Sequence, residues 1–318
     1  MRAVRAAPLL LPLALAACAG GPPAAAPSAP DGPVEAVSLL GGPLRRPAFD
    51  SATRTRLEAN LAAARADYEA RPDDADRIIW LGRRLAYLGR YREAIEVFSR
   101  GIERHPGDAR LYRHRGHRYI TVRRFDRAIA DLRRATELVR GRPDEVEPDG
   151  APNRYNIPTS TLQSNIWYHL GLAHYLRGDF ERALEAYREA LRVSTNDDML
   201  VATSDWLYMT LRRLGRDAEA ARVLEPIRRD MRILENEAYH RRLLMYRGGL
   251  PPDSLLGTSG GTDPVTVATQ GYGVGNWYLY NGDREQAMEV FRRVVAGSSW
   301  GAFGYIAAEA ELRRMRAP

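Results

Sequence analysis

The sequence predicts an all-α fold, a solenoid of helix-turn-helix repeats, from three positions that recur with a period of about 34 residues. With Ala75 as position 1, a methyl-sized side chain returns at position 20 as Ala94, Ala128, Ala183, Ala220 and Ala287. Glycine returns at position 8 as Gly82, Gly116, Gly171 and Gly275, with Tyr208 in the remaining unit. A large apolar residue returns at position 24 as Phe98, Leu132, Tyr187, Leu224 and Phe291. Small residues where two helices cross closely, beside large ones that fill the space between units, specify stacked helix pairs.

Composition agrees with a folded body, since 45% of the residues are hydrophobic and 27% charged. The formal charge of +7 does not signal a nucleic-acid partner. All 47 basic residues are Arg, and they alternate with acidic ones, as in Arg92-Glu93, Asp126-Arg127 and Glu181-Arg182. Interleaved charge makes solvated, partly paired helix faces, whereas nucleic-acid binders need clustered basic footprints.

Along the chain, residues 1–17 read as an export signal: Arg2 and Arg5 make a positive start, and a short apolar run reaches from Pro8 to Ala17. That run is too short to span a bilayer, which needs ~20 apolar residues. Leu15-Ala16-Ala17-Cys18 resembles the lipobox of bacterial lipoproteins, which implies lipidation of Cys18 and cleavage before it. Cys18 is the single cysteine, so no disulfide forms within the chain. The same resemblance implies, through Ala19 in place of Asp after the cysteine, passage to the outer membrane where the host has one, with the protein facing the periplasm. Residues 18–49 are rich in Pro, Gly and Ala and predict an extended tether of ~3.1 Å per residue.

The solenoid is expected over residues 50–316. A leading helix runs from Asp50 or Ser51 to about Ala70, with Leu57, Leu61, Ala64 and Tyr68 on one stripe. Clear repeats follow at about 75–108, 109–142, 164–197, 201–234 and 268–301. Gly89, Gly178, Gly215 and Gly282 mark the turns inside the pairs, where Arg123 substitutes once. Tyr208 at position 8 should hold its two helices further apart. An insertion at about 141–161 carries no helical stripe and reads as a solvated loop, with a functional flap as the alternative. Residues 235–267 make a degenerate unit whose first helix spans Glu235 to Arg247, and Asp263-Pro264 caps the next helix. A terminal helix from Ala302 to Arg316 should close the stack.

The unit from Ala75 to Asp108, with Gly82, Gly89, Ala94, Phe98 and a closing Pro106, resembles the tetratricopeptide repeat. The resemblance implies a right-handed superhelix whose first helices line a concave, protein-binding groove. Carried over unit by unit, that groove holds Arg83 and Tyr87, then Arg113 and His117, then Tyr168, Leu172 and Tyr175, then Asp205, Met209 and Arg212, then Tyr272, Asn276 and Tyr280. Arg and Tyr are residues that adaptable protein recognition favours. The carboxylate clamp of some family members is not recognisable, because Ile79 and Arg83 occupy its places. Arg83, Arg110 and Arg113 could still hold an anionic segment through charge-assisted bonds.

No catalytic constellation stands out, and no cofactor or metal is expected. Gly271-Tyr272-Gly273-Val274-Gly275 lies inside a predicted helix rather than after a strand, so it does not read as a nucleotide loop. His114 and His117 sit three apart on a helix but lack further ligands, and His169 and His174 point to different faces. The sequence therefore predicts a non-enzymatic scaffold, lipid-anchored in the bacterial envelope, that binds protein or peptide partners. The alternative is an accessory subunit or a hydrolase of cell-wall or peptide metabolism, with a site built from the 141–161 and 248–264 loops.

Overall fold

The computed structural model describes residues 32–256 and 263–316. Two short strands, β1 (Val34–Val37) and β2 (Pro43–Arg45), pair antiparallel ahead of the helices. The helices are α1 (Ser51–Ala70), α2 (Ala75–Tyr87), α3 (Tyr91–Arg104), α4 (Ala109–Thr121), α5 (Phe125–Val139), α6 (Leu162–Arg177) and α7 (Phe180–Arg192). They continue as α8 (Asp197–Arg213), α9 (Asp217–Val223), α10 (Glu237–Tyr246), α11 (Asp253–Leu256), α12 (Pro264–Tyr280), α13 (Arg284–Val295) and α14 (Phe303–Arg316).

The recurrent positions explain the stacking. Ala94, Ala128, Ala183, Ala220 and Ala287 all have 0% exposure, which leaves no room for a larger side chain at any helix crossing. In the four units that have a position-8 glycine, the position-24 knob packs on it. A Cβ on Gly116 would lie 2.8 Å from Leu132, one on Gly171 2.7 Å from Tyr187, and one on Gly275 2.6 Å from Phe291. The turn glycines Gly89, Gly178, Gly215 and Gly282 are left-handed, and Arg123 adopts the same conformation at φ 62°.

Two expectations need correction. Residues 34–45 are a hairpin rather than part of an extended tether, and Ala36 and Leu44 are buried against the repeats. Arg92 donates from its backbone N–H to the Glu35 carboxylate at 3.0 Å, and the Arg46 guanidinium pairs with the same group at 2.8 Å. The fourth unit starts earlier than 201, at Asp197 behind an Asn196 cap. Its second helix, α9, is only 7 residues long, because Pro226 lies just past its end. Tyr208 stacks on Tyr246 of α10 with ring centroids 4.6 Å apart, so the large side chain finds a partner outside its own unit.

The terminal helix closes the stack and also reaches back along it. α14 packs on α12 and α13 and reaches back across the ends of α4, α6 and α8. Arg123 donates to Glu309 at 2.8 Å, Arg314 donates to the Leu176 carbonyl at 3.0 Å, and Arg213 pairs with Glu311. Trp300 Nε1 donates to the Arg45 carbonyl at 2.7 Å, and its ring meets Tyr91 edge-on at 5.3 Å. The last part of the described chain thus closes on the hairpin that precedes the first repeat.

Candidate site in the concave groove

Of the candidate groove residues, Arg83, Tyr87, Arg113, His117 and Tyr168 on the first helices of the first three units line a concavity. Arg83 and Tyr87 stand on α2, where Arg83 also lies over Trp80 at 4.5 Å. Arg113, His117 and Arg118 stand on α4, and Tyr168 and His169 on α6. These residues line two adjoining hollows that share Arg113 and His117, one of about 120 Å³ and one of about 270 Å³. The smaller carries Arg83, Arg113 and Arg118 against the single carboxylate of Glu147. The larger is bounded by Asn165, Tyr168, Glu235, Tyr239 and Phe303.

Leu172, Tyr175, Tyr272 and Asn276 do not face a groove; they are buried, and this part of the expected surface is core. Tyr272 donates to the Tyr175 hydroxyl at 2.7 Å and Asn276 to the same oxygen at 3.1 Å, while Trp206 stacks on Tyr272 at 5.7 Å. The physical reason is the closure above, which brings α12 against α6 and α8 and fills the concave side of the later units with aromatic rings. Asp205 is likewise buried, 2.8 Å from Arg242, and burial pushes its carboxyl up to about 7. Arg212 and Tyr280 pack on each other at 4.3 Å away from the hollows, with Arg212 paired to Asp217. Arg110 pairs with Asp76 and Asp108, so it does not join Arg83 and Arg113.

The histidines pack rather than ligate. His114 stacks on Phe98 at 5.6 Å, and His117 lies 4.4 Å from the ring of His169, with Phe303 against both. Burial first, then Arg113 and Arg118, hold His114, His117 and His169 well below the usual imidazole range, so all three are neutral at pH 7. Burial also pushes Arg118 down to about 10. Among the described residues no group of three or more His, Cys, Asp and Glu is arranged to hold a metal ion.

The insertion supplies what sequence reasoning missed. Its stem closes as an isolated bridge, Val146 to Thr161, with the Glu147 N–H donating to the Ser160 carbonyl at 3.0 Å. From there the chain crosses the groove. Glu147 sits 3.1 Å from Arg113 Nε and accepts from Asn165 at 3.2 Å; Arg83 donates to the Pro148 carbonyl at 2.8 Å, and Arg84 to the Gly150 carbonyl at 2.9 Å. Gly150 lies so close to Tyr87 that a Cβ there would overlap the phenol. Farther on, Thr159 and Asn153 both bond to Glu235. Asp198 fixes that residue by accepting the N–H groups of Leu234, Glu235 and Asn236 at 2.9, 3.0 and 2.9 Å. The segment is thus a solvated loop over much of its length and an anchored strap at Glu147–Gly150 and Thr159. Its bonds run to α2, α4, α6 and Glu235, and those of residues 248–256 to Arg229 and Arg241.

Stacked helix pairs with a polar, aromatic concave face define the class: a helical-repeat scaffold for protein interaction. A family model described as tetratricopeptide repeat matches residues 164–197, and a second of the same description matches 75–117. The chain therefore carries tetratricopeptide repeats in these two stretches. BBSome complex member BBS4 from Bos taurus is 26% identical over 160 residues, which cover 49% of this chain and 27% of that protein. Its Mus musculus counterpart is 24% identical over 158 residues, or 48% and 26% of the two chains. The match therefore spans about a quarter of the length of these curated relatives. Among solved structures, a tetratricopeptide repeat protein from Parabacteroides merdae superposes with a TM-score of 0.47 at 15% identity, over 84% of this chain and 95% of that one. YrrB, described as a TPR protein with an unusual peptide-binding site, gives 0.42 at 17% identity, over 74% and 92%.

Proposed function

We propose that this protein is a lipid-anchored scaffold of a bacterial envelope that holds an extended segment of a partner protein in the groove between α2, α4 and α6. One observation carries the binding role. The groove already holds a non-helical stretch of the chain, Glu147–Gly150, through two main-chain carbonyls and one carboxylate. Contacts to carbonyls accept any sequence, and one charge contact adds selectivity, which is how extended peptides are read. The cavity of about 270 Å³ beside Tyr168 and Tyr239 continues that path with aromatic walls.

The anchor rests on Leu15-Ala16-Ala17-Cys18 behind Arg2, Arg5 and a short apolar run; Cys18 lies outside the described residues. No described helix is long and apolar enough to cross a membrane. Lipid on Cys18, with more than one acyl chain, would hold the protein at a bilayer essentially permanently. Ala19 supports an outer-membrane destination.

A photo-crosslinking side chain at Tyr168, in the protein expressed in its own cell envelope, tests both parts. A crosslinked protein partner that disappears with Arg113→Ala, together with fatty-acid labelling and membrane retention that disappear with Cys18→Ser, is the expected result. Crosslinks indifferent to Arg113 would remove the groove reading. An unlabelled, freely soluble wild-type protein would remove the anchor.

A further inference from the structure

The insertion is seated where a partner would sit, and the charge around it is unbalanced. Arg83, Arg113 and Arg118 converge on the smaller hollow, and Glu147 is the one carboxylate in its lining. Glu147 makes its contacts from a short non-helical run, Glu147-Pro148-Asp149-Gly150, whose Asp149 Oδ2 is buried without a hydrogen-bond partner. The run fits by shape as well as charge, since a Cβ on Gly150 would overlap the Tyr87 phenol and the Arg83 guanidinium where they now stand. The rest of the insertion gains little from being there. Val146, Tyr155 and Ile157 are 64%, 48% and 41% exposed, leaving large apolar side chains in water next to the groove.

From this we infer that Glu147–Gly150 is a built-in stand-in for the partner. The groove is a receptor for an acidic, extended protein segment with a carboxylate for Arg113 and, three residues on, a glycine over Tyr87, and binding requires that segment to displace the insertion. The inference rests on the groove reading above and adds the partner's chemistry and the competition. An intramolecular occupant lowers the apparent affinity of any external one by the fraction of molecules in which the groove is free, so freeing the groove tightens binding without new contacts.

The test uses the full chain in detergent and a fluorescein-labelled, end-capped peptide of residues 144–152, read by anisotropy. Gly150→Leu, whose side chain would collide with the Tyr87 phenol and the Arg83 guanidinium and so weaken the strap's seat, should bind the peptide at least ~10-fold more tightly than the wild-type chain. Glu147→Gln in the chain, which removes the strap's charge without added bulk, should give a gain in the same direction. A peptide with Gln at the Glu147 position, or Arg113→Gln added to Gly150→Leu, should reverse the gain. Equal affinity for wild type and both strap variants, with circular dichroism unchanged, overturns the inference. So does a gain that ignores Arg113 and the peptide's Glu, or one that comes with a dimer exchanging insertions between copies. If Tyr168 still crosslinks a partner in an Arg113-dependent way while the peptide results fail, the stand-in is refuted and the groove reading survives. Loss of both refutes both.

Discussion

Arg123 shows how a single residue is retained against its own backbone preference. At φ 62° it takes the place that glycine fills in the other pairs, a conformation that costs a non-glycine residue ~1–3 kcal/mol. The return comes through its side chain, which reaches Glu309 at 2.8 Å and the Trp300 carbonyl at 2.8 Å while lying 5.4 Å from the Trp300 ring. Glu309 has 0% exposure, and removing the partner of a buried charge costs ~3–5 kcal/mol. Arg123→Gly therefore relieves strain yet should destabilise the protein by a net ~2 kcal/mol, which chemical denaturation would measure. Glu309→Gln combined with Arg123→Gly should recover much of that loss, because the orphaned charge is gone. An Arg123→Gly variant as stable as wild type would mean that the contact to α14 contributes nothing.

At the scale of the elements, the seam between α4 and α6 carries a pH dependence of determinate sign. His114 and His169 are buried and their imidazoles are held well below 6.5, first by burial and then by Arg113. Below pH 6.5 the unfolded chain takes up protons that the folded seam refuses, so stability falls with falling pH, by up to ~1.4 kcal/mol per unit for each histidine. Asp205 acts the other way between about 4 and 7, because its raised carboxyl takes a proton first in the folded state. With the imidazoles of His114, His117 and His169 set against the one carboxyl of Asp205 on α8, the protein loses stability from pH 6.5 to 5. His169→Gln, which can still donate to the Asn165 carbonyl as His169 Nδ1 does at 2.6 Å, should flatten that slope in denaturation curves at pH 7.5 and 5.5. The helix pairs themselves were legible in the sequence because their packing is local: Gly116 and Leu132, or Gly171 and Tyr187, touch within one unit and leave a periodic trace. The strap left no such trace. Its hold on α2 runs through the carbonyls of Pro148 and Gly150, groups that every residue carries. The hairpin did leave a signal, two short runs around Gly41-Gly42, which the surrounding prolines obscured.

At the scale of the whole molecule, closure decides which predicted groove residues are groove and which are core. An open solenoid would have exposed Tyr175, Tyr272 and Asn276 as it exposes part of Tyr168; the return of α14 across α4, α6 and α8 buries them. No repeat-by-repeat reading shows this, because curvature sums small rotations over many units and the contacts that set it join residues as distant as Arg45 and Trp300. Closure also changes how the array should unfold. Open repeat arrays fray from their ends, since each unit touches only its neighbours. Here the hairpin is tied to the segment before α14 by the Trp300 indole, a largely buried side chain that donates to Arg45 and packs on Tyr91. Trp300→Ala removes that donor and the ring together, a change worth ~3–5 kcal/mol in a core. Because the site is an edge between two ends, the loss should be local before it is global. Amide exchange should accelerate first in residues 34–45 and in the first turn of α14, with α6 and α7 unchanged. Uniform acceleration through every helix would show instead that the ends contribute to one cooperative unit, and unchanged exchange in the hairpin would show that Glu35, Arg46 and Arg92 hold it without help from the far end of the chain.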